Sequence, residues 1–355
     1  MSEALSPSLA EVTTVDVGAG PHGHLTYSAA TDKVWVLNGK AGTISVLDGG
    51  DGDVEHTIEV GGTPRHIILD DRSDRAYVTL AEDAVAVVGV RKAELESTVS
   101  LPSGSGPGAM VPLLDTNRLY VLNNGGSSVS VLDADTLRLL ATVPVGRQPA
   151  WGQPHKKSCG KIHVANEGSD DVTVIDESTG QVLATVGVGK GPARNAVYRE
   201  RDAMYTANLG DNTLTGISLQ DESVVGTAHV DIDPFRLVPA EKKTGRPEIW
   251  VLGRGDERSP GGVVVVDSTT HTVSHTVETV DRPANWLFDG AIAHVVGTSS
   301  RELAVVDAQA MAVVSTTPLS HDPDLSALSN MVFASDHRLF LVNSDDTVTI
   351  LAPSA

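Results

Sequence analysis

A short pattern, T-x-x-V-G-x-x-P in strict or loosened form, returns eight times along the 355 residues, ending at Pro21, Pro64, Pro107, Pro149, Pro192, Pro234, Pro283 and Pro323. Successive intervals are 43, 43, 42, 43, 42, 49 and 40 residues. That spacing belongs to a repeated supersecondary unit rather than to a fold built once. The segment after each proline repeats as well. A short apolar run comes first, then a second strand, a third that often ends in Asp, and a fourth. The second strands are Val34-Trp35-Val36-Leu37-Asn38, Ala76-Tyr77-Val78, Leu119-Tyr120-Val121-Leu122-Asn123, Ile162-His163-Val164-Ala165-Asn166, Met204-Tyr205-Thr206-Ala207-Asn208, Ile249-Trp250-Val251, Ala293-His294-Val295-Val296 and Leu339-Phe340-Leu341-Val342-Asn343. The third strands close on Asp48, Asp133, Asp176, Asp267 and Asp307 and lose that acid in the second, fifth and eighth copies. Such β-branched segments bounded by Gly, Asn and Asp are short strands joined by turns.

Four antiparallel strands per copy, with no helical period between them, predict an all-β chain. The expected fold is a single β-propeller domain over residues 1–355, with eight four-stranded blades and seven as the runner-up count. After Pro323 the chain supplies three strands, through Thr347-Val348-Thr349-Ile350. The missing fourth strand is at the other terminus, where Val12-Thr13-Thr14-Val15-Asp16-Val17-Gly18 carries the fourth-strand motif. Residues 11–18 are therefore expected to complete the last blade, removing two sheet edges that would otherwise be open to aggregation.

Aromatic residues make up only 4% of the chain, so Val, Ile, Leu and Ala must pack the blades. Basic residues number 26 and acidic residues 46, a net charge of −20 that should repel phosphate backbones, and no nucleic-acid partner is expected. The local basic cluster Lys242-Lys243 with Arg246 reads as a solvated turn. The longest apolar runs, such as Val263 to Val266, fall far short of the roughly 20 residues of a membrane helix, so no membrane partner is expected. The start, Met1-Ser2-Glu3-Ala4-Leu5-Ser6-Pro7, has no basic and apolar leader, which points to a cytoplasmic chain. Cys159 stands alone, outside any CxxC or CxxCH context, which excludes a disulfide scaffold and covalent c-type haem.

The third and fourth copies carry a family likeness. Leu119-Tyr120-Val121-Leu122-Asn123 is followed by Val129-Ser130-Val131-Leu132-Asp133, and Val172-Thr173-Val174-Ile175-Asp176 by Ser178-Thr179-Gly180. The pattern resembles the YVTN-type β-propeller repeat family, whose units read V-G-x-x-P, Y-V-x-N, V-x-V-I-D and a T-G turn. The resemblance spans nearly the whole chain and implies the fold. It leaves function open, because rings of this kind host lactonases, lyases, quinoprotein subunits and binding proteins.

Strand direction alternates within a blade, so the residues just after each proline should line the mouth of a propeller, where ligands usually bind. They include His22 and His24; Arg65 and His66; Trp151; Arg194 and Asn195; Phe235 and Arg236; and Asn285 and Trp286, with Glu167 following a second strand. Three arginines in an acidic chain suit a carboxylate or phosphate, since a guanidinium offers a bidentate fork. They could equally pair with Asp233, Asp322 or Asp324 and stitch blades together.

Thr63-Pro64-Arg65-His66 resembles the G-P-R-H segment of 6-phosphogluconolactonase-type propellers, but the N-E pair that follows in that family is replaced by Leu80-Ala81-Glu82, and Asn166-Glu167 comes two blades on. The chemistry that survives makes His66 a general acid or base, with Arg194 and Arg236 stabilising an oxyanion, on a small anionic or lactone-like substrate. Hydrolysis, elimination and isomerisation all remain open, and so does a non-enzymatic scaffold that binds a ligand or a protein.

No organic cofactor is favoured. His22, His24 and His66 form the one candidate metal set, for a divalent ion of the kind used by virginiamycin B lyase-type propellers, a likeness at the level of fold only. Gly18-Ala19-Gly20-Pro21-His22-Gly23 satisfies GxGxxG but leads into a strand, so no helix terminus can receive a pyrophosphate. The long sixth interval places Gly253 to Gly262 between a second and a third strand, where a lid is expected. Oligomeric state is not legible.

Overall fold

Each interval from one proline to the next folds as one four-stranded antiparallel sheet in the computed structural model, which describes residues 8–155, 160–254, 261–324 and 330–354. Eight such sheets make the chain an all-β, eight-bladed β-propeller. The third blade is representative, with strands Pro107–Leu113, Arg118–Asn123, Ser128–Asp133 and Leu139–Pro144 hydrogen-bonded in sequence order. Helix is confined to the single turn Glu241–Thr244 and three short 3₁₀ turns among the described residues.

Burial is greatest in the middle of each blade. The second and third strands are buried on both faces, whereas the fourth is mostly exposed, as in Arg118–Asn123 and Ser128–Asp133 against Leu139–Pro144. This explains why the second and third strands read as near-continuous apolar runs instead of alternating. The eighth blade draws on both termini. Leu9–Asp16 pairs with Thr347–Pro353 from Leu9 opposite Pro353 to Asp16 opposite Thr347, and Leu339–Val342 and Met331–Phe333 complete the sheet. The closing strand starts two residues before the predicted segment and contains a register shift between Glu11 and Thr13.

Packing divides the chain into two units, Val99–Val277 and the remainder, Met1–Thr98 with Glu278–Ala355. Within each unit, neighbouring blades share apolar clusters. Trp35, Leu37 and Ile44 of blade 1 pack with Ile67, Val78 and Val88 of blade 2, and Tyr205 and Leu214 of blade 5 pack with Ile249, Val251 and Val264 of blade 6.

One polar device recurs. Asn38, Asn123, Asn166 and Asn208 end their second strands and Asn343 directly follows its own; all five are fully buried, and each Nδ2 donates to two acceptors on the third strand. The acceptors are Thr43 and Ser45 (3.1 and 2.9 Å), Ser128 and Ser130 (both 2.9 Å), Asp171 and Thr173 (2.6 and 2.8 Å), Thr213 and Thr215 (3.0 and 2.9 Å), and Thr347 and Thr349 (2.9 and 2.8 Å). The motif glycine packs against this clamp. A Cβ on Gly189 would lie 2.5 Å from both Asn208 Nδ2 and Thr213 Oγ1.

Candidate functional site: a stacked arginine cluster

Every fully described first strand begins with the same irregularity. Pro192 lies opposite Asn208, yet Arg194 lies opposite Ala207, so Ala193 is an extra residue. The same slip separates Pro149 from Trp151, Pro234 from Arg236, Pro64 from His66 and Pro283 from Asn285. A bulge of this type re-aims the side chains beside it. In blades 2, 5 and 7 the second residue after the proline, His66, Arg194 and Asn285, is buried. Arg65, the bulged residue of blade 2, is exposed, and His66 beside it is buried.

In the unit Val99–Val277 the bulges of blades 4, 5 and 6 bring Trp151, Arg194, Phe235 and Arg236 together. The Arg194 guanidinium carbon stands 3.9 Å from the centre of the Trp151 ring. Arg254 stands 3.5 Å from the centre of Phe235, and Arg194 and Arg236 each stand 5.9 Å from that same ring. Three cations therefore surround one phenyl group. Arg254 ends the strand Glu248–Arg254, where it is paired in register with Asp233.

Stacking holds a guanidinium by its face and leaves its N–H groups, which lie in the plane, to point past the ring edge. Arg194 is only 7% exposed, and its buried Nη2 has no hydrogen-bond partner among the described residues; the same is true of Arg236 Nε. Burial, then the charges of Arg236 and Arg254, pull Arg194 well below the ordinary arginine range. Burial and Arg254 pull Arg236 down to about 10. Burial also lowers Arg254, against the opposing pull of Asp233. Gathered around one ring in a poorly solvated place, these like charges repel one another. An anion seated beside them would relieve that cost.

The other candidate residues are placed differently. Asn195 is buried and donates to the His163 carbonyl (3.2 Å), a packing role, and Glu167 is exposed. His24, His66, Arg65, Asn285 and Trp286 belong to the other unit. There the buried rings of His24 and His66 lie 4.4 Å apart and tilted by 47°. His22 sits on the strand Pro21–Ser28, and its side chain lies outside the described residues. Among the described residues no three His, Cys, Asp or Glu side chains are grouped to hold a metal ion. Asn285 donates to Asn330 Oδ1 (2.6 Å), and Trp286 packs edge-to-face on Phe288. The expected lid, residues 255–260 above all, and Cys159 lie outside the described residues.

Lys242 and Lys243 of the basic cluster lie on the one-turn helix, with Lys242 on Glu200 (2.9 Å), and Arg246 just beyond it pairs with Glu248 (2.6 Å). Among the described residues no helix is long and apolar enough to cross a membrane.

Sequence reasoning placed Arg254 only within the expected lid and not among the site residues. The available signal was that the blade 6 strand has Gly253 where five other blades have the clamping Asn and continues one residue further, into Arg254.

No family model matches the chain, and no curated protein matches it. Solved structures do. The structure of BamB from Moraxella catarrhalis superposes with a TM-score of 0.72 at 13% identity, covering 97% of this chain and 100% of that one. Sqt1 from Saccharomyces cerevisiae gives 0.79 at 10% identity, covering 98% and 100%. The dihydro-haem d1 dehydrogenase NirN, solved in complex with DHE, gives 0.66 at 13% identity, covering 96% and 79%. At these identities the likeness is one of fold, and the fold it shows is the β-propeller.

Proposed function

We propose that this propeller recognises a small multivalent anion, a di- or tricarboxylate or a compact phosphate, at the cluster of Arg194, Arg236 and Arg254. The observation that carries the reading is the stacked, buried Arg194 with an unpartnered Nη2, held beside two further guanidinium groups by Trp151 and Phe235. Charge supports it. The unit Val99–Val277 has 16 basic and 20 acidic residues, against 10 and 26 in the rest of the chain, so this unit repels an anion far less than the net −20 suggests.

The function is recognition. Chemistry by His66 together with Arg194 and Arg236 draws on residues of both units, and the cluster within one unit is a set of donors and stacking rings.

Citrate and pyrophosphate are the probes, titrated calorimetrically against the full chain at low salt. Binding by the wild type and a loss of about 100-fold in Arg194→Gln, equivalent to one charge-assisted contact of 2–3 kcal/mol, support the reading. A wild-type chain that binds neither probe overturns it, and so does affinity unchanged from wild type in both Arg194→Gln and Arg236→Gln.

A further inference from the structure

The fourth, outermost strands of blades 3, 4 and 5 are Leu139–Pro144, Val182–Gly187 and Val224–His229, and none of them carries an Asp, Glu, Lys or Arg. The matching strands of blades 1, 2 and 8 hold Glu55 and Glu59, Glu94 and Glu96, and Glu11 and Asp16. Charge of that kind is a common protection of a sheet edge. Blades 3 to 5 lack it, and each opens its outer strand on two large apolar residues, Leu139-Leu140, Val182-Leu183 and Val224-Val225. Blades 6 and 7 are also uncharged there but begin with Thr272 and Ala312. The six apolar side chains are between 38% and 50% exposed. They occupy the same place in three successive blades that share apolar clusters within the unit Val99–Val277, and so make one row. Apolar residues exposed singly are ordinary, whereas a contiguous set marks an interaction surface.

A bulge aims part of the row. Val131 pairs with Ala141 and Leu132 with Leu139, so Leu140 is an extra residue, and Leu183 and Val225 are extra in the same way. Such a bulge bends the strand and interrupts its free edge, which disfavours the addition of a further strand. The exposed side chains, rather than the backbone edge, are what a partner can cover.

The turns leading into these strands, residues 133–138, 176–181 and 218–223, carry six acidic residues and one basic residue, Arg138. Glu222 is paired with Lys161 (2.6 Å), and Asp135 and Asp221 are exposed. The blade 4 turn reaches the outer strand of blade 3, since a Cβ on Gly180 would stand 3.7 Å from Val143 Cγ2. Apolar row and acidic turns are therefore neighbours.

We infer that this row is a docking surface for a cationic amphipathic helix of a partner protein. The apolar stripe of the helix covers the exposed Leu and Val side chains, and Lys or Arg beside the stripe faces the acidic turns. Charge selects this occupant. A second copy of the chain would bring a net −20 and the same acidic turns to the row, and an anionic lipid surface would meet the same repulsion. The bulges weigh against an extended peptide added as a strand.

The probe is a Leu/Lys peptide of about 18 residues, five helical turns, with Leu at i, i+3, i+4 and i+7. Its control has the same residues shuffled so that no stripe forms. Both are titrated calorimetrically against the full chain at physiological salt. The wild type is expected to bind the striped peptide at least about 10-fold more tightly than the shuffled one, and the triple variant Leu140→Ser, Leu183→Ser, Val225→Ser to lose that preference with an unchanged urea midpoint. Leu183→Ser alone serves if the triple variant does not fold. Equal affinity of the wild type for the two peptides, or a preference that survives in the variants, overturns the inference. Self-association of the wild type that the variants abolish in sedimentation velocity would assign the row to a second copy, and binding to phosphatidylglycerol vesicles that they abolish would assign it to a membrane; either result also overturns it.

Discussion

His294 offers the sharpest prediction at the scale of one residue. Burial lowers its pKa from the ordinary 6.5 to about 4, with Asp289 pulling weakly the other way and His337 paired to Asp289. The unfolded chain therefore takes up this proton at a higher pH than the folded one. The stability associated with a neutral His294 is complete above pH 6.5 and is lost as pH falls from 6.5 toward 4, by about 3 kcal/mol in all. In urea denaturation as a function of pH, His294→Phe should flatten the slope in that window. An unchanged slope would place the pH dependence elsewhere.

A second residue-scale prediction concerns Trp151. Removing its ring leaves the Arg194 guanidinium without its stacking surface, and a desolvated cation–π contact contributes about 2 kcal/mol. Trp151→Ala should weaken citrate or pyrophosphate binding roughly 10- to 30-fold, and Trp151→Phe should recover part of the loss. Equal affinity in wild type and Trp151→Ala would show that the stack does not orient the binding group.

At the scale of elements, the blade repeat specifies much more than strand order. The recurring Asn is an amide clamp between second and third strands, and the motif Gly leaves room for it, so the consensus letters correspond to a physical contact. Gly189→Ala should cost about 1–3 kcal/mol by overpacking that clamp, measured as a fall in the urea midpoint without change in m. Retained stability would mean that Asn208 can move aside.

Strand count, order and the completing N-terminal strand were legible because period, proline and clamp all point to one pairing. The bulge was not, because it adds no residue to the period and leaves no mark in residue type. That omission matters for the site. The bulge decides that Arg194 and Trp151 stack and that Arg65, one place nearer its own proline, is exposed. The mouth residues could be named from position, but which of them meet could not. Arg254 escaped because it lies on a second strand, outside the positions following the prolines.

At the scale of the whole molecule, the last blade depends on a strand delivered from the other end of the chain. Leu9–Asp16 is the sole hydrogen-bonded neighbour of Thr347–Pro353 on its outer side, and Leu9 contributes to the apolar cluster with Leu319, Met331, Leu339 and Leu351. Thr317 donates to the Leu9 carbonyl and Ser320 to Glu11, which ties the strand to blade 7 as well. Deleting residues 1–16 strips this pairing and leaves the third strand of blade 8 as an open edge rich in Val, Ile and Leu, the kind of edge that recruits other chains. The truncated chain should show a lower urea midpoint and concentration-dependent light scattering. A synthetic peptide of residues 8–18 added in trans should reverse both, because the peptide carries the whole register from Leu9 opposite Pro353 to Asp16 opposite Thr347. A truncated chain that scatters no more than the full chain and is equally stable would mean that blade 8 holds together on three strands and that the N-terminal strand is an accessory to the ring.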